Sequence, residues 1–255
     1  MNITLIAILC ILLPFILTTI GSIFVYFLKS NFNNKISSIV MGFAGGIMIA
    51  ASVWSMIIPS FEYSARLNNW SFLPAVIGIV LGCVFVILTD LFLKKSNSAN
   101  LFKDKKLTRF LVAFTVHNIP EGLAVGFAVG SALTSGSQVA IAGAIALSIG
   151  IAIQNLPEGM AVSLPVFKST GKKTKSFITG VLSGIVEPVF ALLGLLLATK
   201  ISVLMPWLLC FSAGCMIFVT AEDILPECKL ESSHLGTWGF VFGFLIMMTL
   251  DVALG

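Results

Sequence analysis

Eight apolar stretches of membrane-spanning length run through this chain, at about residues 2–28, 36–60, 70–93, 107–133, 137–166, 176–199, 202–224 and 235–254. A bilayer core about 30 Å thick takes about 20 apolar residues in helical form. Helices are the natural solution, because lipid offers the backbone no hydrogen-bonding partner. The chain therefore reads as an all-α polytopic membrane protein, one transmembrane domain of eight helices over residues 1–255. Only 10% of its residues are charged, against about 25% in a soluble domain, and the mean hydropathy is +1.06. No polar stretch is long enough to fold by itself, which excludes a soluble catalytic or nucleic-acid-binding module. The net charge of +4 comes from loop lysines and gives no reason to expect a nucleic-acid partner; the expected surroundings are the lipid bilayer. Before Lys29 there is neither a basic n-region nor a cleavage pattern, so the first stretch is expected to be a retained helix. The five cysteines form no CxxC pair and read as small hydrophobes rather than a zinc or disulfide framework.

Basic residues orient the bundle. With the first loop placed inside, all of the 15 lysines and arginines except Arg66 and Lys200 fall in inner loops or at inner ends. The positive-inside rule then puts both termini outside. Gly122, Gly126 and Gly130 repeat every fourth residue in the fourth stretch, and Ala142, Gly143, Ala146 and Gly150 dot the fifth. Small residues at such spacing let helices approach closely, so both stretches are expected inside the bundle, away from lipid.

Two polar insertions interrupt this apolar pattern. Val116-His117-Asn118-Ile119-Pro120-Glu121-Gly122 lies in the fourth stretch, and Ile153-Gln154-Asn155-Leu156-Pro157-Glu158-Gly159 nearly repeats it in the fifth. At 1.5 Å per residue, His117 lies roughly 15 Å from the inner end of its helix and Glu121 roughly 21 Å. On the antiparallel fifth helix Glu158 lies roughly 13 Å and Gln154 roughly 20 Å from the same side, and Glu187 on the sixth roughly 17 Å. All five groups therefore share one level near mid-membrane. His117 and Glu121 share a helix face, as do Gln154 and Glu158, each pair being four residues apart. Asn118 and Asn155 project about 100° further round. Pro120 and Pro157 remove an N–H each and free the carbonyls of Val116 and Ile153.

Charge gives the pattern its meaning. No Lys or Arg lies at that depth, and a carboxylate there costs at least ~2.5 kcal/mol. Glu121, Glu158 and Glu187 are then either protonated or held by a cation that passes through. Carboxylates with an imidazole and amide oxygens suit a divalent transition metal; Ca²⁺ and Mg²⁺ prefer all-oxygen shells. Met48, roughly 18 Å deep on the second helix, is a soft donor at the same level, although a lone Met is more often core packing.

The His117-Asn118-x-Pro120-Glu121-Gly122 motif, its partner through Asn155-x-Pro157-Glu158-Gly159, and Glu187-Pro188 resemble those of the ZIP (Zrt/Irt-like) metal transporters over the whole chain. Gln154 and the segment Glu222-Asp223-Ile224-Leu225-Pro226-Glu227 resemble the GufA branch in particular. The resemblance implies a transporter or facilitator that brings divalent metal into the cytoplasm, Zn²⁺ first, with Fe²⁺, Mn²⁺ and Cd²⁺ compatible. The metal is cargo, and no resident cofactor is expected. One ion would see His117, Glu121, Gln154, Glu158 and Met48. A second would see Asn118, Asn155 and Glu187, with Glu121 and Glu158 bridging. Many relatives carry His or Asp where this chain has Gln154 and Asn155, so the second position is expected to be weak here. The family architecture has helices 1–3 and 6–8 as inverted repeats around the 4–5 pair, with helices 1, 4, 5 and 6 moving against 2, 3, 7 and 8. A homodimer is compatible with it.

Further acidic groups flank the expected route. Glu62 and Asp251 lie at outer ends, and Asp90, Glu222, Asp223 and Glu227 at inner ends. They read either as solvated interface residues or as an access pair outside and a release relay inside. The Lys94–Leu107 connection has no His, so the His-rich loop of many relatives is expected to be absent. Two other functions are weaker. An intramembrane metallohydrolase would need a second His after His117, and Pro120 distorts the helix such a site requires. A proton conductor would leave the repeated motif unexplained. Loop composition points to a multi-pass protein of a prokaryotic plasma membrane.

Overall fold

The computed structural model describes residues 2–28, 34–95, 105–198, 203–229 and 233–254. Among the described residues, eight helices long and apolar enough to cross a membrane follow one another: α1 (Ile3–Phe27), α2 (Asn34–Tyr63), α3 (Leu73–Phe92), α4 (Phe110–Ser135), α5 (Gln138–Thr170), α6 (Lys173–Leu196), α7 (Met205–Cys228) and α8 (Leu235–Ala253). The eight-helix expectation holds, and the chain is an integral membrane protein. Most of the lysine-bearing connection from Lys94 to Leu107 lies outside the described residues.

Helix ends differ from the expected ones for local reasons. α5 runs past Pro165 to Thr170, because Val166 and Phe167 beyond the proline are buried. Gly171 then stops it in the left-handed region, its N–H donating to the Phe167 carbonyl at 2.8 Å, a conformation that favours glycine. α2 and α7 outrun their expected ends in the same way. Each widens into a π-helical stretch, Ser52–Ile57 in α2 and Thr220–Ile224 in α7. Each then resumes as an α-helix with Pro59 or Pro226 at its second residue. α6 is interrupted at Ile185, so that Glu187 begins a new helical segment, Val186–Leu196.

Helix pairing follows a two-fold pattern. α1 packs mainly on α5 and α6 mainly on α4; α2 packs mainly on α8 and α7 mainly on α3. Exchanging 1 with 6, 2 with 7, 3 with 8 and 4 with 5 maps each pair onto the other. This is the inverted-repeat arrangement of helices 1–3 and 6–8 around a central pair. The matching π-helix and proline of α2 and α7 obey the same exchange.

The glycine ending each polar motif makes this packing possible. A Cβ on Gly122 would collide with the Glu187 carbonyl of α6, and one on Gly159 with the Thr18 carbonyl of α1. The expectation for the α4 stripe therefore holds. The α5 stripe is a correction: Ala142 and Gly143 are exposed and nothing approaches Gly143 within 4 Å. Gly143, Ala146 and Gly150 line a cavity rather than a helix contact. In the first turns of α5 Ala144 is buried against α1 and α4 while Ala142 and Gly143 are left exposed; from Ser148 onward burial extends along the motif face.

Candidate metal site

Both motifs stay within continuous α-helix through Pro120 and Pro157, so the i, i+4 relation within each is kept. The antiparallel course of α4 and α5 then brings the two polar faces together. One nitrogen of His117 and one oxygen each of Glu121 and Glu158 lie within 4.8 Å of one another. The His117 Nε2 is 3.4 Å from Glu158 Oε1. All three residues are at most 1% exposed, so the cluster is sealed from both ends of the bundle.

Asn118 and Asn155 turn towards α6. Asn118 Nδ2 donates to Glu187 Oε1 at 3.1 Å and to the Ser183 carbonyl at 3.1 Å, and Asn155 Nδ2 donates to Glu187 Oε2 at 2.5 Å. Thr18 of α1 adds a hydroxyl 3.4 Å from Glu187 Oε1. Glu187 therefore ties α1, α4, α5 and α6 at one level. Its place in the first turn of Val186–Leu196 also sets the carboxylate near the positive end of that segment's dipole.

Unpartnered atoms concentrate here. Both oxygens of Glu121, one of Glu158, both amide atoms of Gln154 and the amide oxygens of Asn118 and Asn155 are buried without a hydrogen-bond partner among the described residues. A buried polar atom left unpaired costs about 1–3 kcal/mol, and more if charged. No Lys or Arg occurs between Arg109 and Lys168 to neutralise the acids. A divalent cation bound here would satisfy several of these oxygens at once, and the imidazole-plus-carboxylate set suits zinc.

Met48 is fully buried, its sulfur 3.8 Å from the Thr220 hydroxyl of α7. At the lysine-rich end, a cavity of about 330 Å³ is lined by Leu107, Phe110, Lys168, Asp223 and Glu227. An aromatic column separates it from the site: Phe110 packs on Phe114 at 4.5 Å between ring centres, and Phe114 meets the His117 ring edge-on at 5.1 Å. At the opposite end a cavity of about 620 Å³ is lined in part by Ser55, Glu62, Gly150, Ile153 and Asp251. There Ser55 donates to Asp251 at 2.8 Å, and the other Asp251 oxygen is buried and unpartnered. Glu222 is exposed and Asp90 half-exposed, and neither lines these cavities.

Sequence reasoning did not single out Thr18, Ser55, Phe114 or Lys168. The available signal for the first two was a hydroxyl inside an apolar run. Phe114 and Lys168 carried none, since an aromatic at helical spacing and a lysine at a helix end are ordinary.

Comparison with known proteins gives one consistent result. The family model described as ZIP zinc transporter matches residues 107–251. Zinc transporter ZIP11 of Xenopus tropicalis is 31% identical, the match covering 96% of each chain. Zinc transporter ZupT of Clostridium perfringens is 32% identical over 97% of this chain and 95% of its own. Zinc transporter GufA of Myxococcus xanthus is 32% identical over 89% and 90%.

Proposed function

Because the chain belongs to the ZIP zinc transporter family, we propose that it is a secondary transporter or facilitator carrying Zn²⁺ into the cytoplasm, with Fe²⁺, Mn²⁺ and Cd²⁺ as further candidate cargo. One observation carries this reading: the donors of His117, Glu121 and Glu158 lie within 4.8 Å of one another in a sealed, lysine-free position. These three residues hold the ion. Gln154 adds an amide oxygen and Met48 a soft donor at the edge of the shell.

The lysine-rich end faces the cytoplasm, by the positive-inside rule. Ions enter from the other side through the larger cavity, where Glu62 and Asp251 raise the local cation concentration. They leave by way of Asp223 and Glu227. Glu222 and Asp90 belong to the solvated surface rather than to that route. Since the site is closed at both ends, passage requires helices to move. The pairing pattern supports α1, α4, α5 and α6 as one body and α2, α3, α7 and α8 as the other. Neutral Gln154 and Asn155 hold an ion less tightly than His and Asp, which favours release, and a transporter needs release as much as capture. The placement proposed is a plasma membrane of a prokaryote, as a monomer or a homodimer.

Zinc flux into proteoliposomes tests the reading. Glu121→Ala and Glu158→Ala are expected to abolish flux while the protein still inserts and remains monodisperse. Wild-type flux in either variant overturns it.

A further inference from the structure

Resting on the metal-site reading above, we infer that Glu187 is a positioning residue and not a ligand: it holds the nitrogen side of both motif asparagines and so presents their oxygens to a single ion. An asparagine amide offers two donors on one branch and an acceptor on the other. A carboxylate accepts only, so it selects the Nδ2 branch. Both oxygens of Glu187 are taken in this way, one by Asn118 at 3.1 Å and one by Asn155 at 2.5 Å. The Thr18 hydroxyl, shared with the Pro14 carbonyl at 3.2 Å, lies 3.4 Å from Oε1. The Oδ1 atoms on the opposite branches of the two amides are buried and unpartnered. These belong to residues adjacent in sequence to His117 and Gln154. One carboxylate thus orients two neutral oxygens, one from each motif.

The arrangement gives the pocket a single-ion character. A second ion bound to Glu187 would displace two amide donors and a hydroxyl. Apart from Glu121 and Glu158, which it would have to share with the first ion, it would find no further anion, because Asn155 is neutral.

The test uses the purified full chain in detergent, with Zn²⁺ in equilibrium dialysis and Cd²⁺ in ultraviolet absorption. Wild type is expected to bind one Zn²⁺ per chain. Glu187→Gln, whose amide can accept from only one asparagine and would turn the other round, is expected to bind one Zn²⁺ about 10- to 100-fold more weakly, the range for an outer partner of a metal ligand. Glu187→Cys with Cd²⁺ should show no thiolate-to-metal charge-transfer band, whereas Glu121→Cys should show it. Two ions in wild type, or that band in Glu187→Cys, overturns the inference. So does a Glu187→Gln variant with unchanged affinity in its folded fraction, which would mark a purely structural role. The wild-type stoichiometry decides even where a variant does not fold. No ion bound by wild type would remove the metal-site reading itself, and the inference with it.

Discussion

His117 and Glu158 stand 41 positions apart on different helices, yet the imidazole Nε2 and the carboxylate Oε1 lie 3.4 Å apart with both side chains buried. Their contact joins the two copies of the polar motif into one site, and Glu121 completes it within 4.8 Å.

Removing the imidazole should leave the ion two carboxylates. His117→Ala is expected to weaken Zn²⁺ binding by more than the ~100-fold upper range for outer-shell partners, read by equilibrium dialysis. Binding in wild type should also weaken as pH falls, because an imidazole and carboxylates must give up protons to ligate a metal. A pH-independent affinity would argue that these groups do not hold the ion.

Gln154 is buried with both amide atoms unpartnered. Gln154→His replaces a weak oxygen donor with an imidazole at a buried position one helical turn from Glu158. Tighter Zn²⁺ and Cd²⁺ binding and slower flux in proteoliposomes are expected. Dialysis showing no gain for either metal would place Gln154 outside the shell.

Close helix approach predicts a contrast among glycines. Gly122→Ala and Gly159→Ala drive a methyl into the backbone of α6 or α1, and overpacking of this kind costs about 1–3 kcal/mol. Gly143→Ala, with nothing within 4 Å, should leave the thermal midpoint unchanged or slightly raised. Equal midpoints for all three would contradict the packing described.

On the proposed entry route, the pair Ser55 and Asp251 would bear on ion capture rather than on the sealed site. Asp251→Asn is expected to raise the apparent KM for zinc uptake while leaving the maximal rate close to wild type. The difference should shrink at high ionic strength, since cavity charges attract cations over a distance that salt screens. A loss of maximal rate at unchanged KM would assign Asp251 to a later step.

Much of this site was legible in the chain because a helix has a fixed rise and period. Counting residues was enough to bring His117, Glu121, Gln154, Glu158 and Glu187 to one depth, and the i, i+4 spacing put each pair on one face. The same counting misjudged the small residues of α5. Ala142, Gly143 and Ala146 are compatible with close packing, but no helix lies against that face, and a stripe in one helix cannot reveal whether its neighbour is there. The helix ends expected near 166 and 224 fell short for a related reason. A proline limits a helix locally, while burial beyond it at Val166 and Phe167, or a widened turn before it at Thr220–Ile224, decides whether the helix resumes.

Hydropathy, motif and charge placement follow from local chemistry and one periodicity, and they were sufficient for eight spanning helices, a repeated polar insertion and the expectation of a cation among the acids. Which atoms meet depended on how helices are rotated and paired, a matter of long-range packing. Only the folded bundle turned Asn118 and Asn155 onto Glu187, joined Thr18 to them, left the facing oxygens of Glu121 without partners and closed the site behind Phe114. Side chains on separate helices have no fixed relation along the chain, so their meeting is settled only where the glycines let the backbones touch.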